Sequence, residues 1–203
     1  MLDTLKKDFE QLSLYTSTPG EGCTRLPFSA QAELSKKYIA KTMEGEGFDT
    51  AFDGVGNLRV RYSGSSPRLP ALVIESHIDS VFNGGDFDGI LGVLCGMEIF
   101  RSLKKKGFKP HRDILLVAFD GEEGCQFPSP YIGSRLATGV FDMEEIKLLR
   151  SPEGISYYDA ALRAGYAPDT ISQELLNTGI GEVFEIHVEQ GEVLHKKPIF
   201  IKG

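Results

Sequence analysis

Three apolar runs constrain the fold of this chain more than any other feature of its sequence. They cover residues 71–74, 114–119 and 183–188, and each is continuous or nearly so instead of strictly alternating. Such runs are typical of strands that are buried on both faces of a sheet. Between the first two lies a helical stretch, residues 89–106, which Gly107 ends. A strand, a helix and a strand in this order predict a right-handed crossover, and therefore an α/β domain.

Weaker periodic patterns add further elements to this sheet. Apolar residues recur at helical spacing near the N-terminus, Ser29 is placed to cap a second helix, and Gly165 is placed to end a third. Residues 54–57 have the composition of a hairpin turn, whereas residues 125–130 are too rich in Pro for regular structure. The predicted elements are helices over residues 2–12, 29–45 and 156–164, and a hairpin of strands 48–52 and 58–62 at one side of the sheet.

The composition excludes several classes of function. With 203 residues the chain is long enough for one large domain, and its net charge of -7 argues against a nucleic-acid partner, because phosphate binding needs a basic face. No apolar run reaches about eighteen residues and no signal peptide is evident, so we expect a cytoplasmic protein without a membrane partner. Three cysteines without C-x-x-C spacing indicate reduced thiols instead of disulfides or a thiolate zinc site.

Residues that bind metals follow the first apolar run, at the strand end where open α/β sheets bind ligands. Residues two apart on an extended chain point to the same side, so the carboxylate of Asp79 could orient the imidazole of His77 as in a metal site. A partly buried histidine that is satisfied by a neighbouring carboxylate would give the same pattern. By itself this motif is not specific.

A glycine-rich segment, residues 83–89, leads into the long helix and contains Asp86 and Asp88. Either aspartate could simply cap the helix. However, two cations held about 3.5–4 Å apart usually need a shared anionic ligand. Asp88 is the better candidate for that bridge.

Two adjacent carboxylates, Glu122 and Glu123, follow the second run, and His187 lies in the third. Adjacent carboxylates at a strand end point in different directions, so one can bind metal while the other moves protons. If the pair is buried it needs a cation to offset its charge, and if it is exposed it is a solvated turn. For His187, a polar and apolar alternation at a sheet edge would give the same pattern.

Five segments, in this order and spacing, resemble one enzyme family. The resemblance is to the amidase/hydantoinase/carbamoylase family of binuclear metallohydrolases, which includes N-carbamoyl-L-amino-acid hydrolases, allantoate amidohydrolases and β-ureidopropionases. It extends from about residue 50 onward and implies a three-layer, zinc-aminopeptidase-like α/β catalytic domain with a mixed, mostly parallel sheet. The segments are SHIDS at 76–80, NGGDFDG at 83–89, FDGEEG at 119–124, GSR at 133–135 and HVEQG at 187–191.

The resemblance implies a set of metal ligands. Asp88 would bridge two divalent cations, His77 and His187 would complete one of them, and Glu123 would belong to the other. The resemblance implies Zn²⁺ or Mn²⁺ foremost, whereas ligands of this type suit Zn²⁺, Mn²⁺, Co²⁺ or Ni²⁺ and the affinity order alone does not decide between them.

The resemblance also implies three roles around those ligands. Glu122 would be the general base, Asp79 would orient a ligand histidine, and Gln190 would contact the substrate. A water activated by the cations would give its proton to Glu122 and attack the carbamoyl or ureido carbon.

Family members carry a further metal-binding histidine much later in the chain, beyond an inserted lid domain that also mediates dimerisation. This chain stops at Gly203. We therefore expect residues 1–203 to form the N-terminal part of the catalytic domain, without the lid, and to bind one cation tightly instead of two.

Three functions fit these expectations. The first is a metal-dependent hydrolase of linear carbon–nitrogen bonds that acts on a small molecule, an N-carbamoyl amino acid or a ureido acid. The second is a related metallopeptidase or aminoacylase, which shares the ligand chemistry but cleaves peptide or acyl amides. The third is a non-catalytic fragment that only binds a partner or a metal.

Overall fold

The structure, a computed structural model, describes residues 2–173, 175–176 and 179–197. The end of the predicted domain, residues 198–203, lies outside this range. The helices are α1 Leu2–Ser13, α2 Ala30–Gly45, α3 Ile90–Lys105, α4 Ile132–Ala137, α5 Met143–Leu148, α6 Tyr157–Arg163 and α7 Val193–Lys196, with a 3-10 helix at Pro168–Gln173. The strands are β1 Asp49–Phe52, β2 Leu58–Tyr62, β3 Ala71–His77, β4 Ile114–Phe119 and β5 Ile180–Glu185.

The strands form one mixed sheet in the order β1-β2-β4-β3-β5. The hairpin of β1 and β2 is antiparallel, and β2 is also antiparallel to β4. Strand β3 is parallel to both β4 and β5, and α3 connects β3 to β4 as the predicted crossover. The carboxyl ends of β3, β4 and β5 therefore lie together at one edge of the sheet.

Apolar side chains cover both faces of β4, which makes the domain three-layered. Ile114 and Leu116 belong to the main core, which helices α1, α2 and α3 share with one face of the sheet. Val117 and Phe119 point to the opposite face, where they pack with Ala137 of α4. This arrangement follows from the alternation of side chains along a strand that has no solvated face.

Most of the predicted elements are confirmed. The three helices and the hairpin form within one or two residues of their predicted bounds, and the Ser29 side chain accepts a hydrogen bond from the Ala32 amide as an N-cap. No helix within the described residues combines the length and apolar character needed to cross a bilayer.

The third predicted strand requires two corrections. It spans Ile180–Glu185 and not residues 183–188, so His187 lies beyond the strand end instead of within it. The strand is also exposed, with Val183 at 54% and Phe184 at 51% of their full accessibility. The reason is its position at the edge of the sheet. Among the described residues, β5 pairs with β3 on one side and with no strand on the other.

Candidate metal centre

Histidine and carboxylate side chains from four segments meet at the carboxyl ends of the parallel strands. His77 is the last residue of β3, Glu122 and Glu123 follow β4, His187 follows β5, and Asp88 precedes α3. Donor atoms of His77, Asp88 and His187 lie within 4.8 Å of one another, and so do those of His77, Glu122 and Glu123. The structure thus brings together every metal ligand that the sequence predicted.

The two histidines present the same ring nitrogen to the centre. In His77, Nδ1 lies 3.0 Å from the main-chain oxygen of Asp79, and in His187, Nδ1 lies 2.7 Å from that of Val188. Because a carbonyl oxygen only accepts, each Nδ1 carries a proton, so Nε2 is the ring nitrogen that each histidine directs at the centre. This is the arrangement by which proteins orient histidine ligands.

The spacing of three donor atoms fits a tetrahedral cation. His77 Nε2 and His187 Nε2 are 3.3 Å apart, and Asp88 Oδ1 is 3.7 Å and 3.3 Å from them, respectively. Four ligands at about 2.0–2.1 Å from a tetrahedral cation lie about 3.3–3.4 Å from each other. The side chain of His77 is 1% exposed, that of Asp88 13% and that of His187 27%, so the group is buried at His77 and open to solvent at His187.

Two carboxylate oxygens at the centre are buried without a hydrogen-bond partner among the described residues. They are Oδ1 of Asp88 and Oε1 of Glu123. A buried oxygen without a partner is costly, and a cation would offset that cost. The donor set therefore fits a divalent cation better than a structural cluster of polar side chains.

Asp88 does not cap α3. The residue in the cap position is Gly89, and it makes no side-chain cap bond. The Oδ2 atom of Asp88 instead accepts a hydrogen bond from the side chain of Gln190. Capping, the alternative explanation of this aspartate, is thereby excluded.

His77 is placed by close packing against Gly89. Gly89 has a φ of 64°, and a Cβ atom there would lie 2.6 Å from Nδ1 of His77 and 2.5 Å from its carbonyl oxygen. The adjacent Ser76 hydroxyl donates to the carbonyl of Gly89 at 2.9 Å. Only glycine fits at this approach between β3 and α3.

The carboxylate of Asp79 holds the turn that carries the two glutamates. We call residues 120–123 the carboxylate turn. Oδ1 of Asp79 accepts the amides of Gly121 and Glu122, each at 3.0 Å, and Oδ2 accepts the amide of Glu123 at 3.1 Å. Its distance to Nδ1 of His77 is 3.7 Å, so the main-chain oxygen of Asp79 makes the closer contact to that ring.

The glutamates are half-buried, and their environment raises the pKa of each carboxyl group. Burial raises the pKa of Glu122, and burial together with the nearby Asp88 raises that of Glu123 to about 7. Burial opposes a charge on His77, but Asp79 and the two glutamates outweigh it and raise its pKa to about 9. Carboxylates crowded in this way repel one another and therefore stabilise any positive charge placed between them. A proton on His77 supplies part of that charge.

The two donor groups share His77. Its Nδ1 is occupied by the Asp79 carbonyl, so only Nε2 is left to bind a cation. If Nε2 joins Asp88 and His187, the second group keeps only Glu122 and Glu123. The described residues thus form one complete donor set and one incomplete set.

Several buried polar residues beneath the carboxylate turn were not predicted from the sequence. Asn57 accepts the amide of Asp120 at 3.0 Å, and the side chain of Asp120 pairs with Lys36 at 2.8 Å. Asn57 was predicted only as part of a hairpin turn. No sequence pattern indicates these contacts, because they join residues 63 and 84 positions apart.

The fold and this donor set define an α/β domain of the metallohydrolase type. The chain belongs to peptidase family M28, whose family model matches residues 57–172. That match includes the candidate residues from His77 to Glu123.

Among curated relatives, the chain is 39% identical to an N-carbamoyl-L-amino acid amidohydrolase of Geobacillus stearothermophilus, over 88% of this chain and 44% of the relative. It is 32% identical to a ureidoglycolate hydrolase of Arabidopsis thaliana, over 97% of this chain and 43% of the relative. A solved hydantoinase/carbamoylase family amidase from Burkholderia ambifaria superposes with a TM-score of 0.86 at 28% identity, over 96% of this chain and 46% of that one. The family resemblance predicted from the motifs is thus confirmed, and the chain spans about half the length of these relatives.

Proposed function

We propose that this chain carries the cation-binding and proton-transfer residues of a hydrolase that cleaves linear carbon–nitrogen bonds in a small molecule. The substrate class is an N-carbamoyl-L-amino acid or a ureido acid. The observation that carries the proposal is the convergence of His77 Nε2, His187 Nε2 and Asp88 Oδ1 beside a half-buried Glu122. The names of the relatives favour this substrate class over peptides.

His77, Asp88 and His187 would hold one divalent cation, and Glu123 would contribute to a second that Asp88 bridges. Zn²⁺ and Mn²⁺ are the ions we propose, and Co²⁺ or Ni²⁺ also suit imidazole and carboxylate ligands. A cation held by these residues would lower the pKa of a bound water and polarise the carbonyl oxygen of the substrate.

Glu122 is the proposed general base. Its Oε2 atom lies 3.7 Å from Nε2 of His77, so it borders the donor set while remaining reachable from solvent. Its raised pKa brings it closer to neutral pH, where a base can both accept and return a proton. Glu122 would take the proton of the attacking water and return it to the leaving nitrogen as the carbon–nitrogen bond breaks.

Asp79 and Gln190 would act around that step. Asp79 orients the carboxylate turn through the three amides it accepts, and so fixes Glu122. Gln190 contacts Asp88 in this structure, which leaves it next to the centre where a substrate would bind.

A peptidase is the second candidate, and the family to which the chain belongs favours it. One assay separates the amidohydrolase from the peptidase. The purified chain is incubated with Mn²⁺ or Zn²⁺ and either N-carbamoyl amino acids or dipeptides, and the ammonia and free amino acid released are measured. Ammonia from the carbamoyl substrates is the expected result. Cleavage of dipeptides alone would favour the peptidase. No turnover of either substrate by the cation-loaded chain would contradict both and favour the third function, a non-catalytic fragment that binds a metal or a partner.

Glu122→Gln tests the role of the base. It should lower turnover by roughly 10²–10⁴-fold, because proton transfer is lost, while cation affinity stays within about threefold. Glu144→Gln, on the exposed side of α5, is the matched control and should retain full turnover. Equal turnover in the two variants would remove Glu122 from the mechanism.

A further inference from the structure

We infer that Asn57 is a positioning residue that holds the carboxylate turn against the start of α4. The hydrogen bonds of its side chain reach Asp53, Asp120 and Gly133, so it acts on the glutamates through the main chain of the carboxylate turn and of α4. This inference rests on the proposed function only in treating Glu122 and Glu123 as the working carboxylates.

The side chain of Asn57 is fully buried and uses both of its polar atoms. Oδ1 accepts the amide of Asp120 at 3.0 Å, two residues before Glu122. Nδ2 donates to the carbonyl of Gly133 in α4 at 3.1 Å and to Oδ2 of Asp53 at 2.8 Å. A single amide group therefore joins the hairpin turn, the end of β4 and α4.

Asp53 fixes Asn57 in turn. Asp53 is 3% exposed, and its Oδ1 atom accepts the amides of Val55 at 3.1 Å and of Asn57 at 3.0 Å. Its Oδ2 atom also accepts a hydrogen bond from Nη2 of Arg59 at 3.1 Å. Because these bonds lock the turn before β2, the Asn57 side chain is anchored to the sheet instead of moving with α4.

The start of α4 is bonded directly to the carboxylate turn. The amide of Tyr131 donates to the carbonyl of Glu122 at 2.8 Å, and the amide of Ile132 donates to that of Gly121 at 2.9 Å. Asp79 accepts the amides on the other side of the same turn. A displacement of α4 would therefore move the glutamates. Asn57 links both α4 and the carboxylate turn to the sheet.

The packing around Asn57 leaves no space for adjustment. A Cβ atom at Gly133 would lie 2.4 Å from Oδ1 of Asn57 and 2.3 Å from the carbonyl oxygen of Asp120. Gly133 is inside a helix, where alanine is ordinarily more stable than glycine. Glycine at position 133 thus permits the close contact with Asn57, and any side chain there would push α4 away from the carboxylate turn.

Amide hydrogen exchange of the cation-free chain, with and without Asn57→Ala, tests the inference without relying on turnover. We expect exchange at Gly121, Glu122 and Glu123 to accelerate at least tenfold, because the turn loses its anchor. Exchange at Val73 in the buried strand β3 should change less than twofold. Tyr38→Phe, which removes a partly buried hydrogen bond from the tyrosine hydroxyl of α2 to Asp8 of α1, is the control and should leave the turn unchanged.

Gly133→Ala provides an independent variant that keeps Asn57. It should accelerate exchange at the same three turn amides. If Gly133 made no close contact with Asn57, the alanine would instead make α4 more stable. Unchanged exchange at the turn in either folded variant, or an equal acceleration at Val73, would overturn the inference. If Asn57→Ala does not fold, Gly133→Ala alone decides. Cation titration of the same samples with Zn²⁺ separately tests the proposed function, since His77, Asp88 and His187 should still bind it.

Discussion

Each donor atom of the centre is fixed by a second contact of the same residue. His77 and His187 are oriented by main-chain carbonyls, and Asp88 by the side chain of Gln190. Asp79 does this for the carboxylate turn by accepting three amides. Hydrogen bonds to a charged acceptor are about twice as strong as those to a neutral one, so the charge of Asp79 matters as well as its shape.

Asp79→Asn tests that charge. The amide oxygen of asparagine can accept at one side only and carries no charge, so we expect the free energy of unfolding to fall by about 1–3 kcal/mol. Urea denaturation of the cation-free chain measures it. Asp86→Asn, an exposed aspartate in the neighbouring loop, should leave the stability unchanged. An identical stability of the two variants would show that the Asp79 carboxylate does not hold the turn.

At the scale of elements, Arg101 ties the three helices on one face of the sheet. Its guanidinium contacts Asp8 of α1 at 2.6 Å, Glu98 of α3 at 2.6 Å and Glu46, which follows α2, at 2.8 Å. Asp8 and Glu98 are nearly buried, so their charges depend on this partner. The helices in turn fix α3, whose first residues lie beside Asp88.

Arg101→Met should therefore destabilise the fold by about 2–4 kcal/mol, because it leaves two carboxylates buried without their cation. Arg101→Lys keeps the charge but not the forked geometry, and should give a smaller loss. Thermal or urea unfolding measures both. Lys147→Ala, which removes an exposed ion pair with Glu144, is the contrast and should not change stability measurably. A loss for Arg101→Met no larger than this contrast would contradict the role of the cluster.

The longer elements were predictable because their patterns are local. Periodic apolar residues mark α1, α2 and α3, and the continuous runs mark β3 and β4. The helices α4, α5 and α7 have only four to six residues each, which is too short for a helical period to be visible. The position of β5 was wrong by three residues, since its apolar residues are not buried and the run continues past the strand end.

The candidate ligands could be named from the sequence, but the buried contacts that hold them in place could not. His77, Asp88, Glu123 and His187 were named from residue type, position after a strand and family resemblance, and the structure brings them together. The sequence also allowed Asp88 to cap α3, and the structure excludes this because Gly89 is in the cap position. Asn57 and Lys36 act through contacts between distant segments, which depend on the folded chain and leave no local pattern.

At the scale of the whole molecule, the chain spans about half the length of its relatives and presents one complete donor set. Sharing of His77 between the two donor groups gives a physical reason for this asymmetry. Asp88 as a bridge between two cations stays a prediction. The central claim is that His77, Asp88 and His187 hold one cation tightly in this chain.

Metal analysis after equilibrium dialysis tests that claim most directly. The chelator-stripped chain is dialysed against Zn²⁺ or Mn²⁺, and the bound metal per chain is measured for wild type, His187→Ala, Glu123→Gln and His111→Ala, an exposed histidine in another loop. We predict one tightly bound cation that is lost in His187→Ala and retained in the other two variants. No bound cation, two tightly bound cations, or full retention in His187→Ala would contradict the account.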